Sequence, residues 1–180
     1  MSRQTSVHDL ERLVQSFHSL IAVETVEEER IRSILIEVAR RLTVSFYEWS
    51  LNAGLSRHGA AEYEGTKEPF QMLQRIEEVH SRDAIYLLKD FSRHLENANV
   101  ARLLREVVNR IHSSRSAIVI TGEPIELPRD IDAMAVRYVE KFDAEKRVEQ
   151  DRAYRDAMAK VAAQYPDDLE IATLYADALF

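Results

Sequence analysis

The sequence predicts an α/β fold, with a parallel sheet of about five strands covered by helices on both faces and a C-terminal helical hairpin. Two observations carry this. Short apolar runs rich in β-formers alternate with amphipathic segments of about 10–17 residues, the pattern of parallel strands joined by crossover helices. Beyond residue 142 the strand pattern stops and only helical periodicity remains.

The elements follow in order. Residues 6–17 form a short helix with Leu10, Leu13, Val14 and Phe17 on one face. Residues 19–25 are a buried strand. Thr25 is placed to cap the next helix, with Glu28 three residues on completing a capping box. That helix, residues 26–42, carries Ile31, Ile34, Leu35, Val38 and Leu42 as its apolar stripe. Residues 44–50 make a second strand, and residues 51–67, with three of the four glycines, a loop. Pro69 suits the first turn of a helix holding Phe70, Met72, Leu73, Ile76 and Val79. Residues 84–90 are a third strand. A helix over residues 97–112 has Val100, Leu103, Leu104, Val107, Val108 and Ile111 inward. Residues 116–121 are a fourth strand, stopped by Gly122 and Pro124; a short polar helix begins at Leu127-Pro128, and residues 136–142 are a fifth strand. Helices over 143–164 and 168–180 are divided by Tyr165-Pro166-Asp167.

Composition sets the class. The 180 residues are 46% hydrophobic and 31% charged, enough to build a core. Net charge is −7, which disfavours binding to a nucleic-acid backbone. The absence of cysteine excludes disulfides, thiolate metal sites and cysteine nucleophiles. No apolar run approaches the roughly 20 residues of a membrane span, and the first eleven residues are polar, so no membrane partner and a cytoplasmic location are expected. Residues 143–180 hold 5 basic and 9 acidic side chains, a balance of −4 against −3 for residues 1–142. The shift marks two parts, an α/β domain over 1–142 and a helical tail over 143–180.

In an open parallel sheet, ligands bind at the carboxyl ends of the strands. A phosphate loop there needs glycines that bring backbone N–H groups close, a lysine and a hydroxyl. The turn after strand one instead reads Thr25-Val26-Glu27-Glu28-Glu29-Arg30, with three glutamates and no glycine. The stretch from Gly59 to Gly65, followed by Thr66-Lys67, imitates a phosphate loop. Its glycine spacing is one residue too long, Lys and Thr are reversed, and Glu62 and Glu64 lie inside it; it is expected to be a surface loop. Asp90 and Thr121, at the ends of strands three and four, are the weak candidates for nucleotide contact, with ATP and magnesium as the possible cofactor. None of the six histidines has a metal-ligand partner at helical spacing, and no Gly-x-Ser-x-Gly elbow is present. No catalytic or metal residue is assigned. Trp49 with Phe46 and Tyr47 reads as core. Asp90, His94 and Thr121 near strand ends are the one grouping that suggests an enzyme of unrelated chemistry.

Five blocks in order, "SLIAVETVEEERIRSILIEVAR", "FYEWSLNAGLSR", "GTKEPFQMLQRI", "AIYLLKDFSRHL" and "SAIVITGEPIELPRDI", resemble the N-terminal region of bacterial and plastid AAA-type ATPases. In those proteins a degenerate AAA-like domain precedes a catalytic AAA module. The resemblance covers residues 6–142. It implies a three-layer fold like that of the P-loop nucleotide hydrolases, with sheet order 5-1-4-3-2. It also implies that the Walker A lysine, the Walker B acids and the arginine finger belong to the second module, so no ATPase residue carries over to this chain.

Residues 151–180 are similar to tetratricopeptide repeats. Ala153, Tyr154, Ala157, Met158 and Val161 would face Ile171, Leu174, Tyr175 and Ala178. One helical pair cannot bury its own faces, so Leu174, Tyr175, Ala178 and Phe180 are the candidate interaction residues, for a protein partner or a second copy of the chain. The expectation is a non-catalytic scaffold or regulatory module acting through protein contacts, with no cofactor. The alternative is an ATP-binding module, or a fragment of an AAA ATPase whose catalytic part is supplied in trans.

Overall fold

The computed structural model describes residues 3–79, 83–138 and Ala159. The expected helical tail, with Leu174, Tyr175, Ala178 and Phe180, lies outside the described residues. Apart from Ala159, these residues belong to one compact unit, Ser2–Glu140.

The elements are α1 (Arg3–Gln15), β1 (Leu20–Glu24), α2 (Glu28–Leu42), β2 (Ser45–Ser50), β3 (Gly54–Arg57), α3 (Pro69–Val79), β4 (Ala84–Lys89), α4 (Ala98–Ile111), β5 (Ala117–Gly122), α5 (Arg129–Asp132) and β6 (Val136–Tyr138), with a 3-10 turn at Phe91–His94. One sheet runs β3-β2-β4-β5-β1-β6. The β2·β4, β4·β5, β5·β1 and β1·β6 pairs are parallel, and β2·β3 is antiparallel. Five strands in the order 5-1-4-3-2 were expected; six are present, so the count and the order of the whole sheet are corrected by one added edge strand, β3, while the five expected strands keep their order β6-β1-β5-β4-β2.

The additional strand, β3, falls in the stretch expected to be a loop. Its physical reason is Gly54, at φ +78°, which lets the chain turn back directly after Ser50. Thr66 then locks the hairpin: its hydroxyl accepts the Leu55 N–H (2.8 Å) and donates to the Tyr63 carbonyl (2.7 Å). The Trp49 indole N–H donates to the Thr66 carbonyl at 2.7 Å. Four residues that open on a glycine are too short to show a strand's alternation in sequence.

The helix start after β1 is also corrected. α2 begins at Glu28, not Val26, and its flanking residue Glu27 makes no side-chain cap. The Thr25 hydroxyl accepts the Glu27 N–H at 3.0 Å, forming a tight turn before the helix instead of capping it. β4 and β6 end at Lys89 and, within the described residues, Tyr138.

The sheet is the middle of three layers. Period-two alternation sends successive side chains to opposite faces. Ile21, Val23, Phe46, Ile85, Leu87, Ala117 and Val119 pack with α1 and α2, through Val7, Leu10, Ile31, Ile34, Leu35 and Val38. Leu20, Tyr47, Trp49, Tyr86, Leu88, Ile118 and Ile120 pack with α3 and α4, through Met72, Leu73, Ile76, Leu104, Val107 and Ile111. The near-continuous apolar strands follow from burial on both faces. Toward the β3 edge, Tyr86 stacks on Tyr47 (ring centroids 5.1 Å) and Tyr47 on Tyr63 (6.5 Å), and the Arg75 guanidinium covers Tyr63 at 4.8 Å. Burial pushes the Tyr47 and Tyr86 phenols up.

Candidate functional site

The parallel strands bring the chain after β1, β4 and β5 to one carboxyl edge, because parallel strands all end on the same side. A crevice of about 600 Å³ opens there, lined by Thr25, Val26, Glu27, Glu28, Glu29, Arg30, Asp90, Gly122 and Glu123. Five carboxylates and one guanidinium face it. Val26, 80% exposed, stands among them. Closure of the backbone around the crevice comes from two bonds: Thr25 N–H to the Gly122 carbonyl (3.1 Å) and Asp90 N–H to the Thr121 carbonyl (2.8 Å).

Asp90 sits just past β4 with φ +53°. Aspartate tolerates this left-handed conformation better than most residues. Its carboxylate is half exposed and 3.7 Å from the Arg93 guanidinium. Gly122 makes the approach possible: a Cβ there would lie 3.3 Å from the Asp90 Oδ1. Thr121 is fully buried, and its hydroxyl donates to Glu28 Oε1 at 3.4 Å. Thr121 therefore holds the first turn of α2 rather than offering a free hydroxyl to the crevice. His94 is elsewhere, its ring edge-on to Trp49 (5.7 Å) and Phe91 (6.0 Å). The grouping of Asp90, His94 and Thr121 is thus not brought to one pocket, because Asp90 alone of the three lines the crevice.

The charged groups behind the crevice are paired. Lys89 reaches Glu29 Oε1 at 3.2 Å, rather than the adjacent Asp90. Arg32 grips Glu48 with two bonds, Nε to Oε2 at 2.6 Å and Nη2 to Oε1 at 2.8 Å, and lies 4.0 Å from Glu29. The Arg32 fork, ahead of the more distant Lys89 and His58 charges, holds the Glu48 carboxyl below its ordinary range. Sequence reasoning missed Arg32 and Glu48. The available signals were the i, i+3 spacing of Glu29 and Arg32 and a glutamate inside an otherwise aromatic strand.

Chemically, this arrangement disfavours a polyphosphate. A phosphate site at a helix start uses bare N–H groups and a cation, whereas the α2 start carries Glu27, Glu28 and Glu29, and the nearest lysine is occupied by Glu29. The imitation phosphate loop is likewise structural: the hydroxyl of Thr66 is spent within the β2–β3 hairpin. Among the described residues no group of three or more His, Asp or Glu is placed to hold a metal ion. No helix among them is long and apolar enough to cross a membrane.

Comparison with known proteins places this geometry. The model of the SpoVK-like AAA ATPase N-terminal domain matches residues 6–139. The chain is similar to the uncharacterized AAA domain-containing protein ycf46 of Trieres chinensis, 28% identical over 121 residues, which cover 66% of this chain and 24% of the relative. The ycf46 protein of Guillardia theta is 24% identical over 127 residues, 69% of this chain and 25% of the relative. The chain therefore spans about a quarter of the length of the curated relatives it matches. Among solved structures, that of C. elegans PCH-2 is similar in fold, with a TM-score of 0.50 at 11% identity, covering 92% of this chain and 48% of that one.

Proposed function

The chain belongs to the family of SpoVK-like AAA ATPase N-terminal domains, and on that premise we propose that it is a non-catalytic scaffold or regulatory module of an AAA-type ATPase, acting through protein contacts. The observation that carries the proposal is the crevice at the strand ends. Where an ATPase of this fold keeps a phosphate loop, this chain has a glycine-free turn bearing Glu27, Glu28 and Glu29. Five carboxylates around one opening oppose the approach of a further polyanion. Catalysis would then reside outside this domain, which accords with relatives about four times as long as the matched stretch.

Titration calorimetry with ATP and magnesium tests this directly. No binding tighter than about 100 μM is expected, a level corresponding to roughly −5.5 kcal/mol. Tighter binding would overturn the proposal in favour of an ATP-binding module.

A second reading, a fragment whose ATPase activity is supplied in trans, is favoured by the same length relation and by the position of Asp90 at the mouth of the crevice. Under it, Asp90→Asn alters nucleotide affinity or the ATPase rate of a partner. Unchanged values in both measurements would remove this reading.

The tail is proposed to provide the association surface through Leu174, Tyr175, Ala178 and Phe180. Its support is the apolar spacing of those residues, which one helical pair cannot bury alone.

A further inference from the structure

We propose that the ion chain Glu48–Arg32–Glu29–Lys89 is a built-in strap that fixes the first turn of α2 against the strand ends, so that this turn stays ordered without a nucleotide. The inference rests on the reading of the crevice as a site without a phosphate ligand.

In a phosphate-binding domain of this topology, the ligand bridges the start of the helix after β1 and the neighbouring strand ends. Removing the phosphate loop removes that bridge. The helix start here is also electrostatically awkward within itself. Three successive glutamates suit the helix dipole but repel one another, and Glu27 provides no side-chain cap. Glu27 pairs with Arg30 at 2.9 Å, but that pair lies within the turn and does not tie it to the strands.

Four side chains from three elements make the connection. Glu48 projects from β2, Lys89 ends β4, and Glu29 and Arg32 lie on the first two turns of α2. Arg32 forks onto Glu48 at 2.6 and 2.8 Å. Glu29 stands between two cations, 3.2 Å from Lys89 Nζ and 4.0 Å from Arg32 Nη1. The Arg32–Glu48 link is the stronger end, with side chains only 27% and 22% exposed and a planar bidentate geometry. The Glu29–Lys89 link is more open to solvent and correspondingly weaker. Thr121 adds a contact to the same turn through Glu28. The strap is thus a side-chain counterpart of the bridge that phosphates make elsewhere, with Arg32 as its positioning residue.

Native-state amide hydrogen exchange of the full chain is the test, read at the amides of Arg30 to Ser33. Two of these, Arg30 and Ile31, donate to the Glu27 carbonyl at 3.1 and 3.2 Å. Arg32→Met and Glu48→Gln should each lower protection there by about five- to tenfold, alongside the fall at the β5 amides that lower global stability brings. Arg40→Ala, which removes an exposed pair with Glu37 two turns further along the same helix, should leave Arg30 to Ser33 unchanged. Equal protection in wild type and in both strap variants would overturn the strap. So would a comparable loss at Arg30 to Ser33 in Leu104→Ala, a variant of the fully buried core on the other face of the sheet, which would mean that these amides report general destabilisation. Adding ATP and magnesium to the wild type separates the two ideas. Binding that raises protection at the turn would refute the reading of the crevice, whereas variant effects measured without nucleotide bear on the strap alone.

Discussion

Single residues decide the edge of the sheet. Gly54 combines φ +78° with a neighbour that a methyl group would strike: a Cβ there would lie 2.9 Å from the buried Thr66 Oγ1. Gly54→Ala should therefore cost about 1–3 kcal/mol in chemical denaturation, from left-handed strain plus displacement of Thr66. Thr43 is the opposite case. It closes α2 at φ +56°, with its N–H donating to Ala39 and Arg40 carbonyls, yet it is β-branched and exposed. Helices prefer glycine in that role. Thr43→Gly should stabilise the domain by about 0.5–1 kcal/mol, after allowance for the greater freedom of glycine in the unfolded chain. A loss of stability on denaturant titration would contradict this. Both residues lie where sequence reading was least informative. The glycine was visible, but its contact with Thr66, twelve residues away, was not, and Thr43 carries no end signal at all.

At the scale of elements, the start of α2 is the most telling. Its three glutamates and the lack of a glycine among them were legible from sequence. Their partners were not, since Lys89 is sixty residues from Glu29 and Glu48 sixteen from Arg32. A consequence follows for acid stability. Arg32 lowers the Glu48 pKa in the folded protein. The pair therefore contributes stability that is present above the unfolded glutamate value, about 4.3, and is lost as pH falls through the lower folded value. Glu48→Gln should be less stable than wild type by about 1–2 kcal/mol at pH 7, and the gap should narrow below pH 4. Denaturation midpoints measured from pH 7 to pH 3 check this; a constant gap would show that Glu48 acts through packing rather than charge. Glu37, held to about 2 by its bonds to Arg40 and Arg41, titrates below this window and is intact in both proteins. The helices themselves were mostly readable because their apolar stripes repeat at 3.6-residue spacing. β3 was not, because a four-residue edge strand is made by its turn and its neighbours rather than by its own pattern.

For the whole molecule, the two-part division rests on a change of pattern and charge near residue 142. The proposed association through the tail predicts a difference in mass. Light scattering should show the intact chain self-associating and a chain ending at Asp143 remaining monomeric. The same oligomeric state in both chains would remove Leu174, Tyr175, Ala178 and Phe180 as a self-association surface. Residues 6–139 match the SpoVK-like AAA ATPase N-terminal domain, and the chain spans about a quarter of the length of its ycf46 relatives.

The sequence by itself determined the α/β class, the main helices and strands of the domain, and the lack of a phosphate loop. These are local properties: periodicity, apolar runs, and the presence or absence of glycine and lysine within a few residues. Only the tertiary structure decided the sixth strand, the separation of His94 from Asp90 and Thr121, and the partners of Glu29 and Arg32. Those depend on contacts between residues far apart in the chain, and side-chain pairing at such distances leaves no periodic trace in a single sequence.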